Sequence, residues 1–326
     1  MRNCLFIVIF IFFTQTVSAQ DPEYSQFFAN PLFLNPALAG TTELPRVAIN
    51  YRNQWPQKGV AFNTYSVSYD QLLPKVNAGI GLQLMHDQEP NDVINTNLAT
   101  VSYSYHLKLG YESFMTLGIQ AGMVYKQFNV SNLIFPSGID QLTGEISEWV
   151  SQLHADENKL YPDFGIGAVG QHGEYFWGAA LHHLNRPDES VFEGDQKGRL
   201  PVKTTLHAGA RLHRLHYGLL SREFTLSPNI LYRHQGSFKQ LNLGIYMIEK
   251  VFIFGAWYRN NLDLRPDALI ALVGVAVERF QLGYSVDFTL SKLSGYSYGT
   301  HEISLRIFPG RIKEVPPRNK LLIPVL

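Results

Sequence analysis

The 326-residue chain has one cysteine, Cys4, and it lies where processing removes it. Arg2, the apolar run 5–13 and the small residues Val17-Ser18-Ala19 read as a secretory signal peptide, residues 1–19, cleaved after Ala19. The exported chain from Gln20 onward then has no disulfide, no thiol nucleophile and no lipid-anchor cysteine. No later stretch reaches the ~20 apolar residues a membrane-spanning helix needs. Charge is scarce: Asp, Glu, Lys and Arg make up 17%, against about 25% in ordinary globular domains. It is also balanced, 27 basic to 27 acidic residues, or 26 to 27 once Arg2 is gone. That excludes an electrostatic footprint for nucleic acid.

What the chain does have is aromatic residues (13%), 26 glycines and a two-residue beat. Residues 115–125 place Met115, Leu117, Ile119, Ala121, Met123 and Tyr125 on one face of a strand, with Thr116, Gly118, Gln120 and Gly122 on the other. On a helix these apolar side chains would scatter around the cylinder. The same alternation predicts strands over 46–53, 61–70, 77–86, 97–107, 114–127, 163–171, 174–184, 202–213, 224–234, 239–248, 250–260, 267–277, 279–290 and 300–308. Strand 267–277 is apolar on both faces. Fourteen strands of about ten residues are an even set of membrane-crossing length.

Connections after even-numbered strands tend to be short, and those after odd-numbered strands include the long ones, 128–162 and 185–201. Tyr51, Tyr105, Tyr125, Tyr175, Trp177, Tyr232 and Tyr258 fall near strand ends, as an interfacial girdle requires. The pattern predicts an all-β fold: a transmembrane antiparallel β-barrel of about 14 strands over 46–308, in outer-membrane lipid, with periplasmic termini. Residues 20–45, broken by Asn30-Pro31 and Asn35-Pro36, form a candidate periplasmic or plug segment, and 309–326 a Pro-rich tail. A soluble β-sandwich also alternates, but its polar face carries Lys and Glu, whereas here that face is mostly Gly, Ser, Thr, Gln and Asn.

With the apolar set against lipid, the lumen receives Arg52, Asp70, Lys126, Lys203, His207, Arg211, Arg233, Arg259, Asp287, Glu302 and Arg306. Two readings follow: these charges pair among themselves, since unpaired charge is costly in a narrow interior, or the cations attract anionic segments. Inward glycines, Gly79, Gly118 and Gly167 among them, let another backbone approach the wall. Chemical motifs fail on context. Gly165-Ile166-Gly167-Ala168-Val169-Gly170 fits a dinucleotide fingerprint, but a turn and a strand follow it where a helix is required. His182 and His183 are strand neighbours pointing to opposite faces, which excludes a shared metal. No cofactor or catalytic set emerges.

The mature start, Gln20-Asp-Pro-Glu-Tyr-Ser-Gln-Phe-Phe-Ala-Asn-Pro-Leu-Phe-Leu-Asn35-Pro36-Ala37-Leu-Ala39-Gly40, with Tyr51-Arg52-Asn53-Gln54-Trp55-Pro56, resembles the N-terminal hallmark of the PorP/SprF family of type IX secretion-associated outer-membrane proteins. Residues 283–293 and 299–305 resemble that family's C-terminal signature, and Tyr161-Pro162-Asp163-Phe164-Gly165 and Gly255-Ala256-Trp257-Tyr258-Arg259 match further segments. Val286 and Thr300 depart mildly from the pattern, which often has Tyr and Ser there. The resemblance implies a non-enzymatic barrel that works with other type IX components. It would assist export or surface attachment of large secreted adhesins with C-terminal sorting domains, some serving gliding motility. The partner surface would then be the loops 128–161 and 185–200, with Phe135, Trp149 and Phe192 as apolar anchors. A diffusion porin or small-solute transporter is the alternative.

Overall fold

The structure, a computed structural model, describes residues 21–57, 61–129, 157–190, 198–212, 224–262, 265–290 and 298–310. Its strands are β1 (Arg46–Gln54), β2 (Phe62–Leu73), β3 (Ala78–Gln88), β4 (Ile94–Lys108), β5 (Ser113–Phe128), β6 (Glu157–His172) and β7 (Tyr175–His182). They continue as β8 (Lys203–Ala210), β9 (Thr225–Gln235), β10 (Phe238–Glu249), β11 (Phe252–Asn261), β12 (Arg265–Val277), β13 (Phe280–Thr289) and β14 (Thr300–Ile307). Each pairs antiparallel with its sequence neighbours, and β1 pairs with β14 over eight positions, Val47↔Ile307 to Gln54↔Thr300, to close the cylinder. Closure removes free edges, which a sheet in hydrocarbon cannot leave unpaired.

The faces are inverted relative to a water-soluble sheet. On β4 and β5 Val101 and Ile119 are 59% and 60% exposed, while the alternating Ser102 and Gln120 are 1% and 7% exposed. The apolar belt continues round the wall through Leu206, Leu243, Phe254, Leu282 and Phe288. Only a hydrocarbon surround makes that arrangement favourable. The chain is a closed outer-membrane-type β-barrel, and no described helix is long and apolar enough to cross a membrane.

Residues 21–40 lie inside the cylinder, and 41–45 lead from the short-turn rim into β1. A single helical turn, Pro31–Leu34, and a 3-10 turn, Pro36–Leu38, begin at the prolines, whose fixed φ suits a first helical position. The side chain of Asn35 caps the second turn by accepting from the Ala37 N–H at 3.0 Å. Phe27, Phe28, Leu34, Ala37 and Leu38 from this segment pack with Val169, Phe176, Leu231, Tyr246, Ile253, Trp257, Ile270 and Leu272 from the wall. Burying each phenylalanine is worth about 2–3 kcal/mol. Here lies the reason β12 is apolar on both faces: Ile270 and Leu272 point into a lumen that is itself a hydrophobic core.

Two expectations need correction. Strand β14 ends at the short-turn rim, but Asp21 sits at the opposite end, beside Lys203, His183 and Gln235, so the first and last described parts of the chain are not on one side. Strand β6 starts at Glu157, ahead of the predicted 163, and runs through Pro162. The proline is tolerated because β7 pairs with β6 only over Ile166–His172. Met123 of β5 stands opposite Pro162, but the Phe164 carbonyl two residues on accepts from the Leu184 N–H on the other side. The Pro162 nitrogen therefore faces away from β5, and no strand neighbour asks for its missing N–H.

Candidate functional site

The residues that carry the family-like motifs come together around Ser25. Its N–H donates to Glu302 Oε2 at 2.7 Å and its hydroxyl to Asp287 Oδ2 at 2.6 Å. Ser25 Oγ itself accepts from Arg52 Nη1 at 2.6 Å and Arg259 Nη2 at 2.9 Å. Arg259 Nη1 also bonds Asp287 Oδ2 at 2.9 Å, and Arg52 Nη1 lies 3.4 Å from Glu302 Oε2. Gln26 extends the joint: its N–H donates to Glu302 Oε1 at 3.2 Å, and its side chain donates to Ser285 Oγ and the Glu302 carbonyl and accepts from Ser304 Oγ. Two arginines from β1 and β11 thus face two carboxylates from β13 and β14 across one serine. The joint spans the β1–β14 seam. At the rim above, Trp55 donates its N–H to the Gly299 carbonyl at 2.9 Å, so the N- and C-terminal motifs meet there too.

The other end of the segment is fixed at the short-turn rim. Gly40 N–H donates to Asp70 Oδ2 at 2.8 Å, and Arg46 binds Asp70 at 2.7 Å while donating to the Leu38 carbonyl at 3.0 Å. The 3-10 turn presses on Gly118 so closely that a Cβ there would stand 2.5 Å from Ala37 Cα. Gly118→Val should therefore cost about 1–3 kcal/mol by overpacking and loosen the segment. Limited proteolysis within 31–40, in folded barrel, is the readout; an unchanged digestion pattern would show that the turn yields freely.

Asp21 is clamped at the long-loop end. His183 Nε2 lies 2.7 Å from it, Lys203 Nζ bonds the same oxygen, and His183 Nδ1 reaches Asp163 Oδ1 at 2.9 Å. Burial alone would raise the Asp21 carboxyl, but Lys203 and His183 hold it well below the ordinary 3.8. Burial would lower His183, yet Asp21 and Asp163 raise it from 6.5 to about 9. A raised histidine contributes docking strength that is complete below about pH 6.5 and lost as pH climbs through about 9. The depressed Asp21 contributes above pH 3.8 and fades only as pH falls through its lowered value. Hydrogen exchange of residues 21–25 should accelerate as pH is raised through about 9, after correction for intrinsic exchange, and His183→Gln should remove that step.

The predicted lumenal charges are placed as follows. Arg52, Arg233, Arg259, Asp287 and Glu302 are buried inside the wall, and Arg233 Nη1 stands 3.5 Å from Glu23. Lys126 is half-buried and pairs with Glu189 at 2.9 Å. Arg211 follows the end of β8, at the short-turn rim. Arg52, Lys126, Arg233 and Arg259 face acids, whereas the buried Arg306 donates to the Ala29 carbonyl and to Gln281 Oε1, both at 3.3 Å. Phe135, Trp149 and Phe192 lie outside the described residues.

The histidine pair departs from expectation: β7 ends at His182, and His183, at φ 58°, turns inward, so both rings lie inside with centroids 6.4 Å apart. Among the described residues no three His, Cys, Asp or Glu side chains converge as metal ligands. The glycine-rich run 165–170 lies within β6, not at a helix start. Sequence reasoning missed Ser25 and Gln26 as the joint's centre, and no spacing signal marks them. It missed the lumenal Phe176, Tyr246 and Trp257 as well, although the two-sided apolarity of strand 267–277 was a trace of the core they form.

The model of the family described as type IX secretion system membrane protein PorP/SprF matches residues 16–307. None of the curated proteins matches the chain. Among solved structures it is similar to the toluene transporter TbuX of Ralstonia pickettii, at 9% identity and TM-score 0.48, covering 86% of this chain and 93% of that one. It is also similar to the CymD monoaromatic hydrocarbon channel, at 10% identity and TM-score 0.44, covering 87% and 93%. For the outer membrane protein Omp33 of Acinetobacter baumannii the identity is 6% and the TM-score 0.42, covering 82% and 100%. With nearly all of its barrel and the lumenal segment inside the family match, the chain belongs to the PorP/SprF family of type IX secretion system membrane proteins.

Proposed function

We propose that this barrel is a non-enzymatic, non-conducting component of the type IX machine that assists export of, or holds at the surface, large secreted adhesins with C-terminal sorting domains. In this reading the long connections face outward, and the loops bearing Phe135, Trp149 and Phe192 carry the partner contacts. The observation that supports it is the lumenal segment. It is fixed at Asp21, Ser25 and Gly40, so solute flow is not what the interior is arranged for. Purification from mild detergent should co-elute a large secreted protein ending in a sorting domain. Replacing Phe135, Trp149 and Phe192 with Ser should release it while the barrel stays folded. Recovery of the barrel without such a partner would reject the reading, and rapid liposome swelling by the intact chain would favour a diffusion porin.

A further inference from the structure

Behind Asp21 and Pro22, at the long-loop end of the lumen, the wall and the inserted segment enclose a cavity of about 120 Å3. It adjoins a wider vestibule beneath the rim, sharing Asp21, Pro22, Asp87 and Glu89 with it. Met85, Leu98 and Val124 give the cavity an apolar side. Its carboxylates are Asp21, Asp87, Glu89, Asp163 and Glu189, against Lys126, Lys203 and His183. All three cations are already engaged: Lys203 with Asp21, His183 with Asp21 and Asp163, and Lys126 with Glu189. Asp87 accepts from the Thr64 hydroxyl at 2.6 Å, and neither it nor Glu89 has an ion-pair partner among the described residues. Burial pushes the Glu89 carboxyl above its ordinary range and Lys126 opposes this only in part, as expected of an acid short of a counter-cation.

Two buried side chains lining the cavity also carry unpartnered polar atoms. His182 is 6% exposed and neither ring nitrogen is hydrogen-bonded. Gln83 is 1% exposed; its amide nitrogen donates to Asn30 Oδ1, but its oxygen Oε1 accepts nothing. Unmet buried acceptors are costly, and these line the same cavity as the two surplus carboxylates. Acceptors and negative charge together call for a ligand that is positive and rich in N–H donors. With no metal-ligating trio present among the described residues, the fitting cation is organic, and the apolar side suits the methylenes of its stem.

We propose that this cavity binds an ammonium or guanidinium group, held by Asp87 and Glu89 with Gln83 and His182 as further acceptors. The group comes either from a lysine or arginine side chain of a bound polypeptide or from a free small amine. The assignment goes beyond the secretion reading and does not depend on it: the cavity can bind a cation whether or not an adhesin co-purifies.

The test is calorimetric titration of the full chain in detergent with acetyl-arginine amide, agmatine and acetyl-citrulline amide, the last being of similar shape but neutral. Saturable binding is expected for at least one charged probe and not for the citrulline probe. Asp87→Asn and Glu89→Gln should each weaken binding about tenfold, the loss of one charge-assisted contact. Glu89 lies beyond the end of β3, so its neutral variant leaves strand pairing intact. Tighter binding of acetyl-arginine amide points to a polypeptide side chain, and tighter binding of agmatine to a free amine. No saturable signal from either charged probe, equal binding of the citrulline probe, or full affinity in the double variant overturns the proposal.

Discussion

Deleting residues 21–43 should convert the barrel into a pore, raising planar-bilayer conductance by roughly an order of magnitude or more. Fourteen strands enclose more space than the eight-strand barrels that wall side chains alone can fill, and less than the open sixteen-strand porins. In this chain the difference is made up by the inserted segment. Phe27, Phe28, Leu34 and Leu38 occupy the lumenal core, and the backbone from Pro36 to Ala39 lies against wall glycines that have no side chain of their own to fill the gap. The wall should survive the deletion. Its fourteen strand pairings, closed by β1 on β14, involve none of the deleted residues. The Arg46–Asp70 and Arg259–Asp287 pairs also remain, now wetted. Retained β-sheet signal and protease resistance must accompany the measurement. Unchanged conductance from a folded, truncated barrel would mean that wall side chains collapse into the space, and the segment would then be a packing element and not a plug.

Much of the wall was legible because one physical variable, the medium on each face, sets every second residue. Fourteen strands follow from that beat, and thirteen begin within three residues of the alternation that predicts them. The exception, β6, was cut short at Pro162, where the missing neighbour, and not the residue itself, decides whether a proline is tolerated. The lumen was less legible. Arg52, Asp287 and Glu302 could be placed on the inward face by parity, but parity cannot say that Ser25, more than 250 residues from the last two, ties them together. His182 and His183 show the same limit: alternation holds only while the strand does, and a single left-handed residue ends it. The convergence of the two terminal motifs at the seam is long-range geometry, visible only once the cylinder is closed.

Asp287→Ala should destabilise the barrel by about 3 kcal/mol, toward the lower end of the range for breaking a buried ion pair. The carboxylate is 3% exposed and faces Arg259 at 2.9 Å and Arg52 at 3.8 Å. Without it, two guanidinium groups converge on the Ser25 oxygen, with Glu302 left beside Arg52 and Asp267, 4.0 Å away, left beside Arg259. Those residual partners are why the upper part of the range is not expected. Ser25→Ala removes only the bridging hydroxyl and leaves both ion pairs, so its cost should be about 1 kcal/mol. Combining Asp287→Ala with Arg259→Met should cost less than the sum of the two single changes, by about 1 kcal/mol or more, because each single change strands a charge that the double change removes. Urea unfolding in lipid vesicles, read as the midpoint and slope for each variant, supplies all four values. Strict additivity, or an Asp287→Ala barrel as stable as its parent, would show that water reaches the joint and screens it, and the segment would then be held by the aromatic core and its Asp21 and Gly40 anchors.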